Sequence, residues 1–212
     1  MIYIFDDRAG RRKDNEDKLR SFAHVVKFIK IDLKQEQSLG DWFLESVGDC
    51  YPECIIFHKS YVFDDNRVTF ENVRQLFTSL KIPFVIFSGG TEGCNKGQTE
   101  SNINADLMYE NLPYFLSDFD TNKKINIDIL LWGKRYKLNA LLQFQNEISK
   151  EFLINNNPDD AVEDIDDVKM YIELQCSDSQ LSNAIIGDLM KDDIITWSDL
   201  ANIIDKHIKI YK

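Results

Sequence analysis

The feature that most constrains this chain is a rhythm. Five short apolar runs recur, each separated from the next by a stretch long enough for a helix. They are Met1 to Phe5, Val25 to Ile31, Glu53 to Phe57, Pro83 to Phe87 and Pro113 to Ser117. Their β-branched and aromatic content marks strands, and gaps of this length exclude simple hairpins. Strands alternating with helices imply parallel βαβ units with right-handed crossovers. Runs that are apolar at nearly every position belong to a sheet covered on both faces. The predicted architecture is therefore α/β: a doubly wound, five-stranded parallel sheet.

The intervening segments carry helical signals. Asp14 is a good N-cap, with Glu16 and Asp17 suited to the positive end of the helix dipole. Ser38 can cap a helix that buries Leu39, Trp42, Phe43 and Val47. Phe70, Val73, Phe77 and Leu80 share a face of the next. After Ser88 comes a glycine-rich loop, Gly89 to Gly97, whose spacing matches no phosphate-binding fingerprint; it reads as a partner-binding loop. Ile103, Leu107 and Met108 suggest a short helix ended by Pro113.

The last third changes character. Leu138, Leu141, Phe144, Ile148 and Phe152 form one long amphipathic pattern, broken at Asn155 to Pro158. Three shorter helical patterns follow, the last with Thr196 and Asp199 as a capping pair. The expected organisation is an α/β domain over 1–130 and an all-α C-terminal region over 131–212.

Charge and composition narrow the function. With 36 acidic against 25 basic residues, the net charge is −11, which argues against nucleic-acid binding and a helix-turn-helix reading of the tail. No apolar run approaches the roughly 20 residues needed to cross a bilayer, and the early charges exclude a signal peptide. Four cysteines, Cys50, Cys54, Cys94 and Cys176, are too sparse for a disulfide scaffold, and the three scattered histidines supply no zinc set. A cytoplasmic protein without membrane or nucleic-acid partners is expected. The acidic stretch Asp159 to Asp167 reads as a solvated helix face, and Arg8, Arg11, Arg12 and Lys13 as a solvated loop.

Chemistry in such a sheet gathers at the carboxyl ends of the strands. The first strand delivers Asp6 and Asp7, the third His58, the fourth Ser88, and the fifth Ser117, Asp118 and Asp120. Adjacent carboxylates at a strand end suit Mg²⁺.

Here the chain resembles the receiver domain of bacterial response regulators. Ile2-Tyr3-Ile4-Phe5-Asp6-Asp7 looks like the first-strand motif with its metal-binding acidic pair. Pro83 to Ser88 is similar to the fourth-strand segment that ends in Ser or Thr. Tyr114 to Asp120 is similar to the fifth-strand pattern, with Tyr114 at the aromatic position. The resemblance covers about residues 1–130 and leaves the helical region unexplained.

The departures decide what it implies. His58 stands where the phosphoacceptor Asp ends the third strand, and Ser117 replaces the lysine that would contact the phosphoryl group. An acyl phosphate cannot form without the carboxylate, and the lysine's charge is lost as well. The resemblance thus implies an inactive pseudo-receiver with a degenerate site of Asp6, Asp7, His58, Ser88, Tyr114 and Ser117. Mg²⁺ at Asp6 and Asp7 is the only cofactor it suggests. His58 reads as a satisfied polar residue, with a titrating switch as the alternative, and Tyr114 as core packing. The expected function is a non-catalytic regulatory adaptor for a protein partner or second copy, in bacterial signalling or phage defence. Its contacts would use the surface around the fourth and fifth helices. The alternative is a Mg²⁺-dependent phosphatase resembling the haloacid dehalogenases, with Asp6 as nucleophile and Ser88 holding the phosphoryl group.

Overall fold

The computed structural model describes residues 1–48, 50–97, 100–155, 160–161, 165–175, 178–191 and 195–212. It divides into two compact units, Met1–Ile125 and Asn126–Lys212. The first is mixed α/β with a six-stranded, mostly parallel sheet; the second is helical.

In the first unit β1 (Ile2–Phe5) leads to α1 (Ala9–Leu19), β2 (Val26–Phe28) and α2 (Leu39–Val47). Then come β3 (Cys54–His58), α3 (Phe70–Ser79) and β4 (Phe84–Ser88). The short β5 (Cys94–Asn95), β6 (Glu100–Asn104) and α4 (Ala105–Asn122) complete it. The sheet order is β2-β1-β3-β4-β6-β5, all neighbours parallel except the β5–β6 pair.

Side chains alternate across each strand, so the sheet has two differently covered faces. Tyr3, Phe5, Ile55, Phe57, Phe84 and Ile86 form one core with Trp42 and Phe43 of α2 and Val73 and Phe77 of α3. The packing is aromatic: Phe5 lies 5.3 Å from Phe57 and 5.7 Å from Phe77, centroid to centroid. Ile4, Ile56 and Phe87 have the opposite parity and are equally buried. On that face Phe87 meets Tyr109 of α4 edge-to-face at 6.2 Å, and α1 packs against α4. Ser38 caps α2 by accepting the Asp41 N–H, and Thr69 and Asn72 form a capping box on α3.

Several expectations are corrected. The Pro113–Ser117 run is not a strand; it lies inside α4, with Pro113 in the helix interior. The buried set Ala105, Met108, Tyr109, Leu112, Phe115, Leu116 and Phe119 follows a helical period, which overrides the local apolar run. The fifth parallel strand is β6, a polar sequence in which only Ser101 and Ile103 are buried. The predicted short helix is split, with Ile103 in β6 and Leu107 in α4. α1 starts at Ala9 rather than Asp14, and β2 is shorter than Val25 to Ile31.

Among the described residues no helix joins β4 to β6, so the expected interaction face lacks its fourth-position helix. The glycine-rich segment folds back instead. The Asn104 N–H donates to Gly93 O at 2.7 Å, and Asn104 Nδ2 donates to Thr91 O at 2.9 Å. Gly93 has φ 66°, a region glycine enters freely. A Cβ on Gly97 would sit 2.3 Å from Glu100 O.

The second unit comprises α5 (Ile127–Trp132), α6 (Tyr136–Asn155), α7 (Ile165–Gln175), α8 (Ser179–Leu189) and α9 (Trp197–Tyr211). Its core joins Leu141, Phe144 and Ile148 of α6 to Ile172, Ile185, Leu200, Ile204 and Ile208. Thr196 and Asp199 form a capping box on α9. Most of the break at Asn155 to Pro158, part of the acidic stretch and Cys176 lie outside the described residues. Among the described residues, no helix is long and apolar enough to cross a membrane.

Candidate functional site

The site lies at the carboxyl ends of β1 and β3, on the face covered by α1 and α4. Asp6 follows β1 directly and is buried; His58 ends β3 and is buried too. Asp7 has an open backbone, but its carboxylate is only 18% exposed.

These groups form one hydrogen-bonded chain. Tyr109 Oη donates to Asp6 Oδ2 at 2.8 Å. Asp6 Oδ1 accepts from the Arg8 N–H at 3.0 Å and from Arg11 Nη2 at 3.1 Å. The same Arg11 Nη2 lies 3.1 Å from His58 Nε2. His58 Nδ1 lies 2.7 Å from Asp7 Oδ1, whose other oxygen accepts the Val62 N–H at 3.3 Å.

Donor and acceptor rules fix the proton positions. A guanidinium only donates and a carboxylate only accepts, so both neighbours of His58 are satisfied when Nδ1 carries the hydrogen and Nε2 accepts from Arg11. The imidazole stacks on Phe87 at 5.2 Å, and the Arg11 guanidinium lies 5.4 Å over the same ring. Arg11 Nε is buried without a hydrogen-bond partner.

The electrostatics follow from burial and pairing. Burial pulls the Asp7 pKa upward, but hydrogen bonds from His58 and the Val62 N–H outweigh it, and the net shift is down. Burial chiefly, then the charge of Asp6, drives the Tyr109 phenol far above its ordinary value, so it stays a donor. A cleft of about 410 Å³ between α1 and α4, lined by Arg11, Asn15, Lys18, Asp106 and Tyr109 among others, reaches the network from outside.

Of the residues singled out by sequence, the fold brings Asp6, Asp7 and His58 together. Their ligand atoms lie within 4.8 Å of one another, the separation a metal site needs. Consecutive residues of a regular strand point oppositely, yet both carboxylates approach His58, at 3.9 Å for Asp6, because β1 has already ended at Phe5. The Asp6 oxygens are nevertheless already engaged by Arg8, Arg11 and Tyr109. A cation there would have to displace a guanidinium.

Ser88 ends β4, half-buried, and its Oγ accepts the Gly90 N–H at 3.3 Å. Tyr114 and Ser117 do not belong to a strand end. Both are exposed on α4, Tyr114 at 42%, against the core packing expected of it. Asp118 and Asp120 share that helix, where Asp120 pairs with Lys123 at 2.7 Å and His24 at 3.0 Å.

Arg11 and Tyr109 were the residues missed. Arg11 falls in a basic run that reads as solvated loop, and only a helix beginning at Ala9 turns it inward. Tyr109 was detectable from the period of Ala105, Met108, Leu112 and Leu116.

Fold and site together define an α/β protein whose sheet-end carboxylates are held by its own groups: Asp6 by the Arg11 guanidinium and the Tyr109 phenol, Asp7 by the His58 imidazole. No family model matches the chain, and no curated protein matches it.

Proposed function

We propose that this is a non-catalytic regulatory protein: an inactive, receiver-like α/β unit that works through protein contacts, carrying a helical unit that transmits its state or mediates assembly. One observation carries the reading. A single Arg11 nitrogen lies 3.1 Å from both Asp6 and His58. In a working receiver the acidic pair holds a divalent cation and a third-strand aspartate takes the phosphoryl group. Here the cation's place is served by the chain's own guanidinium, and the acceptor's place by an imidazole. The strand order β2-β1-β3-β4-β6, typical of flavodoxin-like sheets, supports the receiver-like reading. The lack of a helix between β4 and β6 among the described residues departs from it.

The same hydrogen bonds weigh against a phosphatase, whose nucleophile needs a free carboxylate oxygen. Both oxygens of Asp6 are engaged. A bacterial signalling or phage-defence setting in the cytoplasm suits a protein of this kind. The free thiols of Cys50 and Cys54 fit a reducing compartment.

Thermal unfolding with Mg²⁺, and with Mg²⁺ plus beryllofluoride, tests the proposal, because a ligand of the folded state raises Tm. The expected result is no shift for the natural chain. Arg11→Ala is expected to lose about 3 kcal/mol, the cost of stranding a buried carboxylate, and to recover part of it with Mg²⁺. A shift in the natural chain that disappears in Asp6→Ala/Asp7→Ala would overturn the proposal and restore phosphoryl chemistry.

A further inference from the structure

A second feature of the α/β unit lies away from the buried network, at the open side of β2. This strand is the edge of the sheet. The Ile2 N–H donates to Val25 O, and the Ile29 N–H donates to Ile4 O. Val25 and Ile29 therefore face β1, and strand alternation turns the backbone N–H and C=O groups of Val26 and Phe28 away from it. Those two residues line a groove of about 550 Å³ whose other wall is α1.

The groove has a charge of its own. Arg12, Lys13 and Arg20 line it against one carboxylate, Glu16, in a chain of net charge −11. Arg12 lies over the Phe28 ring at 5.4 Å, and Arg20 reaches Asp17 at 2.8 Å in a largely exposed pair of little worth. Leu19, Val26 and Phe28 supply an apolar floor.

We propose that this groove binds an acidic, extended peptide of a partner protein by strand addition to β2. Three features argue for that occupant. The edge offers main-chain donors and acceptors at two-residue spacing, as strand addition requires. The floor suits apolar side chains on alternate residues, and the rim is complementary to acidic ones. The inference stands apart from the reading of the buried site, since the hydrogen bonds and ion pairs of Asp6 and His58 go to Arg8, Arg11, Tyr109 and Asp7, none of which lines the groove.

The probe is a fluorescein-labelled peptide of alternating Glu and Val, titrated into the full chain by anisotropy. Binding is expected to saturate and to weaken with salt. The Lys-Val counterpart should not bind. Peptide N-methylated on alternate residues, which keeps the charge but loses ladder donors, should bind at least about tenfold more weakly. Arg12→Glu/Lys13→Glu should weaken the Glu-Val peptide by about tenfold or more. Both positions are exposed, and Arg12→Gln/Lys13→Gln repeats the test without reversing charge. Failure of the Glu-Val peptide to bind overturns the proposal, as does binding indifferent to both N-methylation and charge reversal. ATP or a second copy of the chain occupying the groove in place of the peptide would also overturn it.

Discussion

Tyr109 Oη is the hydrogen-bond donor to Asp6 Oδ2, at 2.8 Å in a buried setting. Tyr109→Phe keeps the ring against Phe87 and deletes only that donor. Hydrogen bonds to charged groups contribute about 1.5–3 kcal/mol, so a loss of about 2 kcal/mol is expected in urea unfolding. Tyr51→Phe, at an exposed ring, should stay within about 0.5 kcal/mol. Asp6, Asp7 and His58 were legible as strand-end residues because each follows or ends an apolar run. Their partners were not: Tyr109 comes from a helix 103 residues away from Asp6, and Arg11, though only five residues away, sits in a basic run that reads as solvated.

Among the elements, α4 departs most from local expectation. It carries Pro113 in its interior, which leaves the Tyr109 carbonyl without its helical N–H donor. Pro113→Ala restores that donor and is expected to stabilise the protein by up to about 3 kcal/mol, read as a higher unfolding midpoint. A fall in stability would mean that the packing of α4 depends on the proline ring. The helix was hidden because Pro113 reads as a boundary and the residues after it as a strand. β6 was hidden for the converse reason, since Glu-Ser-Asn-Ile-Asn has no apolar run. Strands buried on both faces, and helices with a full apolar stripe such as α2 and α3, announced themselves.

At the scale of the whole molecule, acid stability draws on both units. Asp7 lies below its ordinary range once burial is outweighed by His58 and Val62. Asp178 caps α8 and accepts from Tyr136 Oη at 2.6 Å; burial again opposes these bonds and loses. Both carboxyls bind protons less readily folded than unfolded. Their stabilisation is therefore complete above the unfolded value of about 3.9 and is lost as pH falls through the lower folded values. Tm should drop steeply on acidification below about pH 4. Asp178→Asn should lower Tm at neutral pH and flatten that drop.

The sequence alone determined what repeats locally: an alternating α/β part, a helical remainder, acidic charge, and Asp6, Asp7 and His58 at the ends of their runs. Apolar period and strand parity are properties of neighbours in the chain, so they can be read from it. Only the tertiary structure decided which run became the fifth parallel strand, that Pro113 to Ser117 is helix, and that Arg11 and Tyr109 close on Asp6. Those outcomes depend on which surfaces meet across the sheet. A buried carboxylate takes its partners from whatever the fold brings within about 3 Å, at any separation in sequence.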